Sequence, residues 1–306
     1  MPLNAAVIQM LAKKLGLESV METITSPSVC IAVLAHNEEH RIARCLASLL
    51  LEADGAPIHV VINGSTDRTA EISREVSAPN LAIHTFAEGG KSRSWNRFVF
   101  DTLDHFADVH VFVDGDAEIA PGSVAALLAT LEQDSFANLA SGMPLNGRRS
   151  EAYRAEMRAQ HGIFGDLYAI RGSFLSRMKA AAIRLPDDLI GDDGLLAAMA
   201  KTDLENERNW DDRRVAVCEG AGFLCEPVQI THWHTLRIQY RRMINYSIRH
   251  FQNRIIKQIM KDRGPVGLPR LLASLYSENL DQMVPRRSLL WWHFDRLALA
   301  RMRIAA

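Results

Sequence analysis

Four times between residues 29 and 133 a short apolar run is followed by a segment whose apolar residues recur at helical spacing. No other feature limits the fold so tightly. The runs are VCIAVLA, IHVVIN, LAIHTF and VHVFVD. The first is continuously apolar and rich in β-formers, which suits a strand buried on both faces. The helical partners are HRIARCLASLLLEA, STDRTAEISREV, SRSWNRFVFDTLDHF and SVAALLATLEQ. In the second of these, Ser65 or Asp67 is placed to cap the helix and Glu71 lies in its first turns. Strand and helix in alternation describe an α/β fold with a doubly wound, mainly parallel sheet.

Past Ser141 the pattern loosens. GMPLNGRRS is turn-rich, EAYRAEMRAQ reads as helix, and LYAIRGSFL as a strand followed by a turn. DDGLLAAMAKT reads as helix, and RRVAVCEGAGFLCEPVQI as a strand pair around a glycine-containing turn. Beyond Thr235 the spacing predicts a long basic helix, LRIQYRRMINYSIRHFQNRIIKQIMKD, broken by GPVGLP and followed by two shorter amphipathic pieces.

Charge is distributed unevenly. The formal net charge is −1, yet from Arg237 onward fourteen Lys or Arg face four Asp or Glu. A solvated helical face has this composition. So does a tail that meets anionic lipid, nucleic acid or a phosphate-bearing substrate. The four cysteines form no CxxC, a reduced and cytoplasmic pattern rather than a disulfide framework. No stretch approaches eighteen apolar residues, so no spanning helix is expected. MPLNAAVIQMLAKKLGL carries its lysines after the apolar stretch and reads as an amphipathic helix rather than a secretory signal.

Ligands of parallel α/β sheets bind beyond the carboxyl ends of the strands. Three polar clusters fall there: HNEE after the first strand, NGSTD after the second and DGDAE after the fourth. Together they describe one rim, across which a nucleotide can lie. In the last cluster, acids two residues apart end a buried strand, where like charges repel and desolvation penalises each. A divalent cation relieves both costs. Mg²⁺ and Mn²⁺ take oxygen ligands from one or two carboxylates plus substrate phosphates. Asp114 and Asp116 are therefore candidate metal ligands, with Gly115 keeping the backbone free to approach. Alone, such a pair is also what a solvated turn looks like. His232 and His234, two apart on a presumed strand, share a face, and His234 is the preferred third ligand. Lys91, after Gly89–Gly90, is placed to reach a phosphate, although the glycines lack the spacing of a P-loop. Trp95, Trp291 and Trp292 read as core or interface.

AVLAHNEEHRIARCLASL, VVINGSTDRTAEI, GGKSRSWN and VFVDGDAEI resemble, in order and approximate spacing, the family 2 glycosyltransferases of GT-A fold. GDLYAIRGSFL, IGDDGLLAAM and, more faintly, QYRRM extend the resemblance over roughly residues 28–243. It implies transfer of a sugar from a nucleoside-diphosphate sugar, UDP favoured, to an acceptor hydroxyl, with inversion and with Mn²⁺ or Mg²⁺. By position it implies a nucleotide pocket holding Asn37, Glu38 and Asp67, and a metal and donor-phosphate motif at Asp114 and Asp116, with Asp116 the direct ligand. It implies a general base at Asp193, since an acceptor hydroxyl is a poor nucleophile until its proton is taken. A carboxylate at a helix start stays ionised, helped by the helix dipole. Residues 1–27 read as an amphipathic helix, and on the resemblance 28–141 form the nucleotide-sugar half. Residues 142–235 form the acceptor side, and 236–306 the basic helical extension.

There are departures. Ile62 and Asn63 stand where the family often has two acids, so that Asn63 meets a uracil ring as a neutral amide. The family's QxxRW appears as Gln239-Tyr240-Arg241-Arg242-Met243 without its tryptophan, which favours single addition over processive synthesis. Arg242 is placed either against the diphosphate or on the helix surface. The basic extension suits a peripheral position at the inner face of an anionic membrane, where lipid-linked or envelope acceptors are built, and no nucleic-acid partner is expected. Two other readings remain at this point, a non-catalytic glycosyltransferase-like scaffold and a sugar-phosphate nucleotidyltransferase. The second usually wants a glycine-rich basic loop where this chain has HNEEHR.

Overall fold

The structure, a computed structural model, describes residues 27–147, 149–225 and 233–306. The expected N-terminal helix therefore lies outside the described residues, apart from Pro27 at its end. The four apolar runs form β1 (Val29–Ala35), β2 (Ile58–Asn63), β3 (Leu81–Phe86) and β4 (Val109–Asp114). These strands pair in parallel in the order β3-β2-β1-β4. The chain winds outward from β1 to β3 and then returns to β1's other edge, so the carboxyl ends of β1 and β4 flank the point where strand order reverses. Alternate residues of β1 enter different cores. Ala32 and Leu34 pack on one face of the sheet, and Ile31, Val33 and Ala35 on the other. Both faces are covered, which explains why the run is apolar at every position.

The sheet continues through β7 (Leu167–Arg171), β6 (Leu139–Pro144) and β8 (Val215–Cys225) to β5 (Ala117–Ile119), giving eight strands of mixed direction. Strand β7 runs antiparallel to β4, with Leu167 opposite Val113. Around the sheet lie α1 (Ile42–Glu52), α2 (Thr69–Glu75), α3 (Lys91–Asn96), α4 (Ser123–Gln133), α5 (Ser150–Gln160) and α6 (Gly172–Ala180). The chain then forms α7 (Asp192–Lys201), the long α8 (Trp233–Asp262), the short α9 (Tyr276–Asn279) and α10 (Leu289–Ala305).

Several elements differ from the sequence pattern. The helix expected over SRSWNRFVFDTLDHF is α3 followed by a π-helical turn, Arg97–Thr102, and ends there. The segment after β7 is helix α6 rather than a turn. Of the expected strand pair over residues 213–230, residues 226–230 lie outside the described residues, and the described part from 215 to 225 is the single strand β8, with a register shift against β6. Its glycines mark close approach and not a turn: a Cβ on Gly222 would lie 2.6 Å from Leu145 Cγ. Of the two capping candidates before α2, it is Asp67 whose Oδ1 accepts from the Thr69 N–H, at 3.0 Å. Trp95 is fully buried, as its place in the pattern suggested.

Candidate active site

The first two rim clusters are laced together. Asn37 takes a left-handed φ of 57°, which asparagine tolerates better than most residues. Its Oδ1 accepts from the Thr66 N–H at 2.8 Å, and its own N–H donates to Ser65 Oγ at 3.0 Å. The Glu38 N–H donates to Thr69 Oγ1 at 2.7 Å, and the Glu39 N–H to Asp67 Oδ2 at 3.1 Å. Hydrogen bonds from Thr69 and the Glu39 N–H hold the Asp67 carboxyl below the usual range, against a desolvation cost. Asn63 is buried, and its Oδ1 accepts from both the Gly90 N–H and Ser94 Oγ, each at 2.8 Å. These side chains build the rim and the Gly89–Gly90 loop. The faces they leave open border a cleft of ≈ 370 Å³ lined by His36, Glu38, Asn63, Lys91, Asp114 and Asp116, among others.

Asp114 closes β4 at that cleft. Gly115 is required by the close approach of β1, because a Cβ there would lie 2.8 Å from Ala35 Cβ. Asp116 sits beside it, with Arg41 Nη1 3.5 Å away. A third acid joins them. Because β7 runs antiparallel to β4, the residue before it, Asp166, lies across from Asp114, whose N–H donates to the Asp166 carbonyl at 3.2 Å. One carboxylate oxygen from each of Asp114, Asp116 and Asp166 lies within 4.8 Å of the others. Asp166 also accepts from Cys225 Sγ at 2.9 Å. Burial first, then the Asp116 charge, pushes the Asp166 carboxyl up. Burial likewise raises Asp114 well above the carboxylate range, against the pull of Lys91. Three converging oxygens that burial and repulsion make costly to ionise together suit a hard divalent cation.

Glu38 shares this field. Burial and then the Asp116 charge push its carboxyl up to about 7, although Arg41 lies 2.5 Å away. Lys91 lines the cleft and is paired there with acids. Its Nζ lies 2.7 Å from Asp114 Oδ1 and 3.7 Å from Asp192 Oδ2. Burial opposes its charge, but the two carboxylates outweigh that and hold its pKa well above the usual lysine range.

The paired acids that open α7 face different ways. Asp192 is 3% exposed and turns inward toward Lys91, with its carboxyl pushed up by burial. Asp193 turns to the half-buried Arg249 of α8, whose Nη2 donates to Asp193 Oδ1 at 2.8 Å. The two halves of the site meet at Gly165. A Cβ there would lie 3.2 Å from Lys91 Nζ, 3.7 Å from Asp193 Cβ and 3.9 Å from Asp114 Oδ2.

The structure thus brings Asn37, Glu38, Asn63, Asp67, Lys91, Asp114, Asp116 and Asp193 to one rim. Arg242 is exposed on α8, two turns before Arg249 and on the same helical face. The strand expected for the histidine pair is corrected: a helix begins at Trp233, so His234 lies in its first turn. His232 and the His234 side chain lie outside the described residues. Asp166, Arg249 and Arg41 escaped the sequence reading. Asp166 repeats the acid-beside-apolar-run signature of DGDAE, but at the start of its strand, and that end reaches the rim only because β7 is antiparallel.

The family model for glycosyl transferase family 2 matches residues 30–185. The β-monoglucosyldiacylglycerol synthase of Synechocystis sp. is 28% identical over 179 residues, covering 53% of this chain and 37% of that protein. The chain spans a little over a third of the length of the first curated relatives it matches. Among solved structures, the mannosyltransferase PcManGT from Pyrobaculum calidifontis, in complex with GDP-Man and Mn²⁺, superposes with a TM-score of 0.58 at 20% identity. That superposition covers 98% of this chain and 86% of that one. TarS 1–349 of S. aureus, in complex with UDP-GlcNAc, gives 0.52 at 16% identity, covering 91% and 81%. Both share the fold.

Proposed function

Because the chain belongs to glycosyl transferase family 2, we propose that it moves a sugar from a nucleoside-diphosphate sugar, UDP-sugar favoured, to an acceptor hydroxyl with inversion at the anomeric carbon. The observation that carries this reading is the convergence of Asp114, Asp116 and Asp166, with Asp114 and Asp193 both bordering Gly165. The nucleotide lies along the laced rim, where Asn37, Asn63 and Asp67 shape its seat. Asp116 and Asp166, with Asp114, would hold Mn²⁺ or Mg²⁺, which when bound supplies positive charge where the leaving diphosphate becomes negative. Lys91 stands beside Asp114 and Asp192 and keeps the cleft's acids compatible in one small volume. Asp193 takes the acceptor proton as the new C–O bond forms and the bond to the diphosphate breaks. An acceptor that is lipid-linked or built into the cell envelope agrees with the basic extension and with the similarity to the β-monoglucosyldiacylglycerol synthase. No helix among the described residues is long and apolar enough to cross a membrane. A peripheral protein of this kind co-sediments with anionic vesicles at low salt; failure to do so assigns the extension to packing.

Calorimetric binding of UDP and of GDP, with and without Mn²⁺, tests the donor site. Wild type is expected to bind one of them in a metal-dependent way, and Asp116→Asn to lose about 100-fold or more in affinity. No binding of either nucleotide under any metal condition would leave a non-catalytic relative as the better reading.

A further inference from the structure

Arg249 stands fifty-six residues from Asp193 in sequence and donates to its Oδ1 at 2.8 Å. No partner engages Oδ2 among the described residues, so one oxygen of the carboxylate is held and the other is presented. The guanidinium occupies a slot that the sequence around the acid leaves for it. A Cβ on Gly191 would lie 2.3 Å from Arg249 Nε and 2.4 Å from its Cζ. A Cβ on Gly194 would lie 3.2 Å from Nη2. Glycines flank Asp192–Asp193 on both sides, and the arginine fills the space that both omit. Gly191 also needs its left-handed φ of 90°, so the same residue turns the chain into α7 and clears the slot.

The pose of the arginine is itself fixed. One turn along α8, Gln252 is buried, and its Oε1 accepts from the Ile190 N–H at 2.9 Å. Its Nε2 donates to the Asp188 carbonyl and to Tyr276 Oη, both at 2.9 Å. A neutral amide therefore staples the basic helix to the loop that carries the acids, and the guanidinium then meets the carboxylate at Oδ1.

We infer that Arg249 is the positioning residue for the Asp193 base: it fixes Oδ1 so that Oδ2 faces the acceptor hydroxyl, and the Gly191–Gly194 slot exists to admit it. This rests on the reading of Asp193 as the base. It gives the basic helix a place in the active site. A charge-assisted hydrogen bond orients a carboxylate more firmly than water does, and lysine, a point charge, reproduces only part of that.

The test follows release of UDP from UDP-glucose, or of GDP from GDP-mannose, in Mn²⁺ with water and glycerol as hydroxyl sources. Arg249→Ala is expected to slow release about 10- to 100-fold while nucleotide affinity stays within about twofold. Guanidinium ion at tens of millimolar is expected to restore part of the Arg249→Ala rate and none of the Asp193→Asn rate, and Arg249→Lys to fall between wild type and Arg249→Ala. Near-normal release by Arg249→Ala would overturn the inference. So would an unrescued loss that comes with an equal loss of nucleotide affinity, since that is the mark of a structural role. The pair is also read without turnover. The guanidinium ¹⁵N resonances of Arg249 are expected to move in Asp193→Asn and to stay in Asp116→Asn, and an unmoved spectrum in Asp193→Asn refutes the pair. Should Asp193→Asn release nucleotide as wild type does, the base assignment fails by itself, a result distinct from any on Arg249.

Discussion

The two ends of the site are held in different ways. At the proposed donor end, Asp114, Asp116 and Asp166 are placed by strand register: β4 lies between β1 and β7, and main-chain bonds carry the acids to the rim. The laced loops after β1 and β2 add contacts that are all made within one α/β half. At the proposed acceptor end, Asp193 lies in the first turn of a helix, and its carboxylate is paired with α8, an element remote in the chain. A sheet rim gives a nearly rigid platform from local pattern. A helix start gives a direction only when something else holds it.

The largest expected effect separates the two ends. On the proposed reading, Asp193→Asn removes the proton acceptor and leaves the donor rim intact. Turnover should fall about 10²- to 10⁴-fold, with Mn²⁺-dependent nucleotide affinity unchanged in calorimetry. Loss of affinity in step with turnover would mean that the ends are not separable. A smaller effect tests the staple. Gln252→Leu leaves the Ile190 N–H and the Asp188 carbonyl without the partner each has in the buried joint. Denaturant unfolding should show a loss of about 2–4 kcal/mol. Turnover should fall more than nucleotide affinity does, and an equal fall in both would argue that α8 supports the whole molecule and not the base in particular.

The smallest effect belongs to the donor half. His110 on β4 is fully buried, and burial, then the charge of His59, pushes its pKa down to about 4. His59 itself is pushed down to about 4, by burial first and then by His84, whose ring nitrogen lies 3.0 Å away. The unfolded chain binds protons on these rings from about pH 6.5 downward, and the folded chain does not until near pH 4. Stability is therefore full above about pH 6.5 and falls as pH drops toward 4, by about 1–3 kcal/mol for His110. His110→Leu should flatten that slope in denaturation curves measured across the window. An unchanged slope would place the acid sensitivity elsewhere.

How much was legible follows from the same contrast. Asp114 and Asp116 announced themselves because a buried run ended in acids, a pattern that local sequence carries whole. Asp193 could be placed through its motif, but its partner could not. Nothing in YSIRHFQN distinguishes Arg249, which meets the site, from Arg242, which stands two turns earlier on the same face and is exposed. The glycines of GDDG were visible, yet their purpose needed the guanidinium in view. In β8, the glycines that suggested a turn were close approaches, Gly222 to Leu145 and Gly220 to Ala126.

By itself the sequence determined the alternating, mainly parallel α/β half and its acidic rim. Burial on both faces and the two-residue period of a strand leave few alternatives there. Tertiary structure alone decided that β7 runs antiparallel and so delivers Asp166 beside Asp114. It alone decided that Lys91 pairs with Asp114 and Asp192 in the cleft, and that the basic helix returns to hold Asp193. Each of these is a contact between residues remote in the chain. Its energy depends on distance and burial, which no local pattern encodes.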